Sequence, residues 1–510
     1  MLKAREKSLI GRVVLGCLGA TILTWSGCKN APQSNAINVE LVRSGRTLAP
    51  TSIQFTDSNP AISDDGSRVV FVSGRDSTAT RPMLKAYKST WPVGQAPGSS
   101  VRVTQSDIGY ERDARLSPDG KWVLLSVTQG KQTDLYLQSF DSDAAPVRVT
   151  NSTDEKTAYG FSPDSSMISW ISSDASGATQ SVRLVAIGLG SAADLADQVT
   201  LPTSNDKVVQ LFWIPVESAD ANPYVLATGI ITVSGYSSTI DYKKYGFANA
   251  AAAENATSTS WLSGLNEQMS VSPAATSSQV VFAELVTNTN ALSSQIGDGL
   301  VTSPSVGAPI SSAPVFASVQ TGAQVNRYSY LKDASDAAPG YEVRSLSLTK
   351  DGTFAFLVAG FYYRCAGDSR DNFGSAFVLA PTDPSKPYRI INPKLNATAG
   401  ESPSQAIEAY DYAAVSICGE RTHADGDSSR IDDQMTAAVL SRNATATAYR
   451  AAYVTRATTQ LDATCNLVAG DTEVWLLDVT AEVKKFYPLS QNHAPTVKEN
   501  AGLVQGACRI

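Results

Sequence analysis

The sequence predicts an all-β protein, a β-propeller built from four-stranded antiparallel sheets. The main observation is a repeat in which a short polar turn precedes a strand rich in β-branched and aromatic residues. The three clearest copies span 63–73, 117–127 and 162–172. They begin about 45 to 55 residues apart, which is the spacing of propeller blades. Periodicity typical of helices is scarce along the chain.

Each turn contains residue types that favour a tight reversal of the chain. In the second copy, Ser117, Pro118, Asp119 and Gly120 lead directly into the strand. Proline and aspartate favour turn geometry, and glycine tolerates a positive φ. We therefore expect Gly120 to hold a positive φ, and we expect Gly120→Val to destabilise the fold.

A further strand and a closing dipeptide follow each of these turns. Strand-like segments lie at 134–140 and 183–187. A Val-Thr dipeptide then ends each unit, at 103–104, 149–150 and 199–200. An array of such units is the expected signature of a propeller.

Weaker copies extend the pattern toward the C-terminus. Residues 270–283 keep a Ser-Pro turn, and Lys350, Asp351 and Gly352 precede an apolar strand. Segments 406–417 and 473–479 resemble strands of later units that lack the turn.

The length of the repeat region sets the expected number of blades. We predict seven blades within a range of six to eight, with long insertions at 288–338 and 419–437. Residues 39–55 are expected to add a strand to the last blade, which would close the ring and remove a free sheet edge.

The repeats resemble those of the TolB-like family of propellers. The shared features are a Ser-Pro-Asp-Gly-Lys turn with its strand, a Leu-Tyr-Leu strand at 135–137 and the closing Val-Thr. The resemblance covers 59–200, about a quarter of the chain, and it is specific to the fold. Because such repeats also occur in peptidase propellers, the resemblance implies an architecture and no particular activity.

The N-terminus has the pattern of a lipoprotein signal peptide. Four basic residues precede an apolar run at 13–24, which is shorter than the roughly 20 residues that a membrane-spanning helix needs. Ser26, Gly27 and Cys28 resemble the lipobox, although Trp25 stands where leucine is usual. We predict a signal peptide at 1–27, lipidation at Cys28, a flexible tether at 28–38 and a single propeller at 39–510. An ordinary cleavage site beside an unmodified cysteine, or a retained membrane anchor, is the alternative.

Four cysteines remain beyond the signal peptide and Cys28. They are Cys365, Cys418, Cys465 and Cys508. An even number in an exported protein implies disulfides, here with three possible pairings. We favour Cys365 with Cys418, which follow strand-like runs of neighbouring blades, and Cys465 with Cys508, which would tie down the C-terminal tail. A Cys418 to Cys465 peptide in a non-reduced digest, or four free thiols, would contradict this pairing.

Charge and motif content exclude several classes of function. The formal net charge is −7 at pH 7, so a nucleic-acid partner is not expected. The chain lacks a G-x-S-x-G nucleophile motif, and neither His423 nor His493 belongs to an H-E-x-x-H pattern. Acidic residues at 425–433, and at 368 and 371, are interpreted as solvated loops. We expect no catalytic residue, no metal and no cofactor.

Four tryptophans fall within strand-like runs and are interpreted as core packing: Trp122, Trp170, Trp213 and Trp475.

The leading hypothesis is therefore a non-enzymatic binding or scaffold protein of the cell envelope. It would be lipid-anchored through Cys28, in the outer membrane with the propeller facing the periplasm or the cell surface. It would contact a protein or peptide through its loops or the mouth of its central channel. The alternative is an envelope enzyme acting on polysaccharide or peptide at the channel, and a purely structural surface protein is a third possibility. Clustered acids with a tyrosine at the mouth would favour the enzyme, and an apolar patch would favour the scaffold.

Overall fold

The computed structural model describes residues 56–489 apart from interior gaps. The gaps are 79–80, 178, 189–194, 196–197, 204–206, 217–221, 235–236, 267–273, 277–278, 286–311, 319–323, 328–340, 364–371, 382–388, 394–406, 412–432, 446–447, 458–459, 462–466, 469–471 and 481–482.

The first four sheets are antiparallel and contain four strands each. The first sheet is β1 (Asp57–Ile62), β2 (Arg68–Ser73), β3 (Lys85–Thr90) and β4 (Val101–Arg102). The second is β5 (Tyr110–Leu116), β6 (Trp122–Gln129), β7 (Gln132–Ser139) and β8 (Val147–Arg148). The third is β9 (Glu155–Phe161), β10 (Met167–Ser173), β11 (Gln180–Ala186) and β12 (Val199–Leu201). The fourth is β13 (Val208–Ile214), β14 (Tyr224–Ser234), β15 (Ser237–Phe247) and β16 (Ser258–Asn266), with a short 3-10 helix at Ala251–Asn255.

Three more sheets follow in the described part of the chain. The fifth is β17 (Ala274–Ala275), β18 (Gln279–Leu285), β19 (Ser312–Ser318) and β20 (Gln324–Arg327), and the sixth is β21 (Tyr341–Leu348), β22 (Phe354–Tyr363), β23 (Asn372–Pro381), β24 (Arg389–Pro393) and β25 (Ile407–Asp411). The seventh is β26 (Asp433–Leu440), β27 (Ala448–Ala457), β30 (Thr472–Thr480) and β31 (Val483–Pro488), beside a hairpin of β28 (Gln460–Leu461) and β29 (Leu467–Val468).

The sheets form a closed ring around a central channel. First strands of successive sheets contact one another, as β9 does with β13 and β21 does with β26. The seventh sheet returns to the first, because β26, β27 and β30 all contact β1. At this junction the backbone N of Asp57 donates a hydrogen bond to Thr472 Oγ1 at 2.8 Å. The all-β propeller fold predicted from the repeats is therefore confirmed, whereas the number of blades in the complete ring stays a prediction.

Each strand contributes to two cores because its alternate side chains point to opposite faces of the sheet. In β2, Val70 and Val72 pack toward the second sheet. Their neighbours Val69 and Phe71 pack with Ala452 and other residues of the seventh sheet. The apolar cores between neighbouring sheets thus hold the ring together, including across the join between its two ends.

Arg450, on the second strand of the seventh sheet, attaches that sheet to the first sheet. Arg450 Nη1 donates hydrogen bonds to the carbonyls of Gly66 at 3.0 Å and Trp91 at 2.6 Å, and its Nη2 donates to the carbonyl of Pro92 at 2.9 Å. The guanidinium pairs with Asp478 at 2.9 Å and lies 4.3 Å from the centre of the Trp91 ring. Five interactions with two sheets make this side chain a bridge across the join.

The same device joins the first sheet to the second. Arg68 Nη1 donates to the carbonyl of Gly120 at 2.9 Å and lies over the Phe140 ring at 4.8 Å. A Cβ on Gly120 would lie 2.8 Å from Arg68 Cδ, as a Cβ on Gly66 would lie 2.8 Å from Arg450 Cδ. Two features therefore require glycine at this position of the turn. Its backbone has a positive φ, and a side chain would clash with the arginine of the neighbouring sheet.

The φ values of the turns agree with the sequence prediction. Gly120 has φ 74°, Gly66 has φ 72° and Gly352 has φ 68°. Ser165 takes the equivalent position in the third copy at φ 65°. Trp122 of the second sheet stands where the first sheet has Arg68, so no arginine approaches Ser165 from that position. The Ser165 hydroxyl accepts a hydrogen bond from the backbone N of Asp119 at 3.1 Å.

A buried ion pair links the first and second sheets, and a charge-reversed pair links the second and third. Lys85 Nζ lies 3.4 Å from Glu111 Oε1, and both side chains are at most 1% exposed. At the equivalent strand positions Lys156 Nζ lies 3.0 Å from Asp134 Oδ1. The threonines of the first two closing Val-Thr dipeptides donate their hydroxyls to the buried carboxylates, from Thr104 at 2.6 Å and from Thr150 at 2.8 Å.

Several predicted boundaries need correction. The proposed insertion at 288–338 contains β19 and β20, two strands of the fifth sheet, and the one at 419–437 contains the start of β26. These strands were missed because no turn signature of the repeat precedes them in the sequence. The four strands of the seventh sheet all come from residues 433–488. The predicted closing strand at 39–55 lies outside the described residues.

Candidate functional site

A pocket of about 220 Å³ opens on the channel at the end where the repeat turns lie. Strands β9 and β13 form most of its wall, and the turns of the second and third sheets add two prolines. Arg442, from the turn after β26, reaches it as well. Its lining residues are Pro118, Ala158, Tyr159, Gly160, Phe161, Pro163, Ser169, Leu211, Phe212, Trp213 and Arg442.

Register shifts in the two wall strands explain why large side chains face the pocket. Along β9, pairing with β10 is interrupted between Thr157 and Gly160, and Ala158 there has φ 49°. Along β13, it is interrupted between Val208 and Gln210. An extra residue on one strand changes which side chains face each side. Consecutive residues of β13 from Leu211 to Trp213 are therefore all partly exposed.

The aromatic rings of the pocket are supported from behind. Trp213 contacts Phe247 with ring centres 6.0 Å apart and Tyr224 at 6.3 Å. Phe212 contacts Tyr242 at 5.8 Å and Trp261 at 6.1 Å. Rings packed together in this way change rotamer only at the expense of these contacts, so the aromatic side chains of the wall are held in place before a ligand arrives.

A polar cluster of three side chains adjoins the pocket through Tyr159. The Tyr159 hydroxyl donates to Asp113 Oδ2 at 2.7 Å, and Arg115 Nε donates to the same oxygen at 2.9 Å. Asp113 Oδ1 accepts the backbone N–H of Ala114 at 2.9 Å. The Arg115 side chain is 45% exposed, whereas that of Asp113 is only 11% exposed.

The electrostatics of this cluster fix the protonation states of its tyrosine and its arginine. Burial, and then the charge of Asp113, raise the pKa of the Tyr159 hydroxyl well above its ordinary value. The Asp113 carboxylate raises the pKa of Arg115 further. At neutral pH the tyrosine therefore remains a hydrogen-bond donor and the arginine a fixed cation.

Backbone hydrogen bonds between neighbouring turns hold the mouth of the channel in shape. The N–H of Asp64 donates to the carbonyl of Pro118 at 2.8 Å, and the N–H of Asn443 donates to the carbonyl of Asp64 at 2.9 Å. One turn along, the N–H of Lys350 donates to the carbonyl of Arg442 at 2.8 Å. These bonds run in one direction around the ring and continue across its join.

Two carboxylates on this rim have shifted pKa values, in opposite directions. Burial raises the pKa of Asp64, an effect that Arg442 and Lys350 oppose. Burial would also raise the pKa of Asp119, but hydrogen bonds from the Ser117 hydroxyl and the Lys121 N–H bring it below its ordinary value. Hydrogen bonds within its own turn thus satisfy Asp119, whereas burial has the larger effect on Asp64.

The site residues named from the sequence lie outside the described ranges. These are the lipidation site Cys28, the four predicted disulfide cysteines Cys365, Cys418, Cys465 and Cys508, both histidines and the acidic segments at 368–371 and 425–432. Within the described ranges, no three His, Cys, Asp or Glu side chains converge as metal ligands would.

The pocket residues themselves were missed by sequence reasoning. Trp213 was interpreted as core packing, and it does contact Tyr224 and Phe247, yet it also lines the pocket. The one available signal was the run Leu211, Phe212 and Trp213, which breaks the alternation expected of a strand that is buried on one face only.

Comparison with known proteins finds similarity at the level of structure only. No protein-family model matches the chain, and no curated protein matches it. The solved structures that resemble it have low sequence identity, and two of them are described as β-propeller domains. One of them is the β-propeller domain of the Trilobed protease from Pyrococcus furiosus, which is described as having an open velcro topology. It is 9% identical in sequence with TM-score 0.42, and the alignment covers 86% of this chain and 99% of that one.

Two TolB structures are also similar over about half of this chain. TolB from Acinetobacter baumannii is 14% identical with TM-score 0.31, covering 52% of this chain and 53% of that one. A putative TolB from Agrobacterium tumefaciens is 13% identical with TM-score 0.32, covering 53% and 79%. The fold assignment therefore stands on the strand order and on the closed ring of contacts in this chain.

Proposed function

We propose that this propeller is a protein- or peptide-binding module that receives its partner at the channel pocket. The observation that carries the proposal is the preformed wall of Tyr159, Phe161, Phe212 and Trp213 at the mouth of the channel. Its volume is below the roughly 300 Å³ at which pockets for whole small molecules begin. It has room for one large side chain.

The backbone of the wall supports a peptide as the occupant. Strands β9 and β13 are the edge strands of their sheets on the channel side. Edge strands present N–H and C=O groups that can pair with an extended segment. A partner could thus insert one side chain while its backbone pairs with a strand edge.

The arrangement of charges favours binding over catalysis at this pocket. Asp113 is engaged by both Arg115 and Tyr159, so it is a poor general base. The raised pKa of Tyr159 disfavours its use as a proton donor near neutral pH. The enzymatic alternative has no comparable support among these residues.

The proposal includes an envelope location. The leader at 1–27 and Cys28 support attachment through lipid, with Lys29 after the anchor favouring the outer membrane. The propeller would then face the periplasm or the cell surface. No helix within the described residues combines the length and hydropathy needed to cross a membrane.

Site-directed photocrosslinking in cells tests the binding proposal. A benzophenone amino acid at position 212 should give a discrete crosslinked band of higher mass. The same group at Val93, a surface position that is 79% exposed, serves as the matched control. Loss of the band on adding Trp213→Ala would support the pocket as the contact. Identical bands from both positions, or no band from position 212, would contradict the proposal.

A further inference from the structure

We propose that the pocket recognises a free C-terminal carboxylate, and that Arg115 is the residue that binds it. This inference rests on the proposed function and specifies the chemistry of the partner. It concerns which end of a peptide enters the channel, and it assigns the anion contact to one side chain.

The hydrogen bonding of Arg115 leaves one side of its guanidinium available. Its Nε donates to Asp113 Oδ2 at 2.9 Å. In the described part of the chain its two Nη groups have no partner, and the side chain is 45% exposed. A carboxylate is bound best by two parallel N–H donors of one guanidinium, and the paired Nη groups supply this geometry.

The guanidinium is held in place before a ligand binds. Asp113 fixes its Nε edge, and Asp113 is itself held by the Ala114 N–H at 2.9 Å and the Tyr159 hydroxyl at 2.7 Å. The Arg115 guanidinium carbon lies 6.0 Å from the centre of the Tyr159 ring. Because rotamer freedom is already restricted, little conformational entropy is lost on binding.

The surroundings suit a carboxylate on an apolar residue. Tyr159 belongs both to the arginine cluster and to the pocket wall, so the anion contact and the apolar wall are adjacent. Arg442 also lines the pocket, and its charge acts on Asp64. An apolar last residue could place its side chain against the wall and its carboxylate on Arg115. An internal peptide segment would lack the carboxylate.

The test uses random seven-residue peptides, synthesised once with a free C-terminal carboxylate and once as the carboxamide. Binding of each pool to the full-length protein is measured by fluorescence polarisation. We expect the free acid to bind at least tenfold more tightly, and Arg115→Gln to abolish that preference. Lys121→Gln removes the same charge from an exposed position in the neighbouring turn, where the side chain is 71% exposed, and should preserve the preference.

The outcomes separate this inference from the proposed function. Equal binding of the two wild-type pools overturns the carboxylate inference and leaves peptide binding intact. Absence of binding by both pools removes the proposed function as well. A preference that survives in Arg115→Gln overturns the assignment to Arg115. Competition by inorganic phosphate as strong as that by the free acid would point to a general anion site and overturn the inference.

A second variant keeps the test valid if Arg115→Gln does not fold. Arg115→Lys retains the charge beside Asp113 but lacks the planar pair of donors. It should keep the wild-type melting temperature within a few degrees and still lose most of the preference for the free acid. Full preference in this variant would contradict the role of the paired Nη groups.

Discussion

Replacing Arg450 by leucine should destabilise the propeller more than the same change at Arg68, its counterpart between the first and second sheets. The Arg450 side chain is 7% exposed and its partner Asp478 is 10% exposed. Removing one member of a buried ion pair typically costs about 3 to 5 kcal/mol. The carbonyls of Gly66, Trp91 and Pro92 also lose their donor, so we expect the upper part of that range.

The matched control has a smaller expected effect for a structural reason. The Arg68 side chain is 26% exposed and its partner Asp141 is 65% exposed. Exposed ion pairs contribute about 0 to 1 kcal/mol, and the hydrogen bond to Gly120 adds about 1 kcal/mol. Arg68→Leu should therefore cost about 1 to 2 kcal/mol, well below the effect of Arg450→Leu.

Urea unfolding followed by circular dichroism gives the free energies of both variants. Hydrogen exchange adds a positional measurement, because an opened ring should lose protection first in β1 and β27. The double variant Arg450→Leu with Asp478→Leu should recover part of the loss, since the carboxylate is then no longer buried without its cation. Equal destabilisation by Arg450→Leu and Arg68→Leu, or unchanged protection of β1, would refute this account of ring closure.

Three further predictions concern a charged core, a turn and the anchor. Lys85→Asp or Glu111→Lys alone should each lower the free energy of unfolding by about 3 kcal/mol or more. The double variant recreates the reversed pair of the next interface and should recover much of the melting temperature, and no recovery would contradict the equivalence of the two interfaces. Gly120→Ala should destabilise the fold by more than the roughly 1 kcal/mol expected for Gly130→Ala, because both glycines have a positive φ but only a Cβ at position 120 would contact an arginine, whereas a Cβ at position 130 would meet nothing within 4 Å. Equal melting temperatures of the two variants would remove the steric part of the argument. Radiolabelled palmitate should enter the wild-type protein and not Cys28→Ser, so equal labelling would exclude lipidation at that residue.

Much of the fold could be predicted because its signals are local. A turn such as Ser117 to Gly120 encodes its own geometry, and the φ of 74° at Gly120 follows from that stretch alone. The strands after the turns could be recognised from residue type, as in β6 and β10. Prediction failed at β19 and β20. The first pairs with β18 and the second with β19, and these pairings are set by the tertiary structure.

The sequence by itself determined the repeat, the turns and the alternation that gives each sheet two apolar faces. It also determined the acidic balance, and residues 1–28 carry the pattern from which a leader and lipidation are predicted. The tertiary structure decided which residues meet across the ring. Arg450 reaches Gly66 over 384 positions, and the pocket combines strands β9 and β13 with Arg442. Such contacts depend on how the sheets are arranged around the channel and on shifts of strand register, and neither leaves a pattern in a short stretch of sequence. Closing the ring and forming the pocket are therefore consequences of the assembled fold.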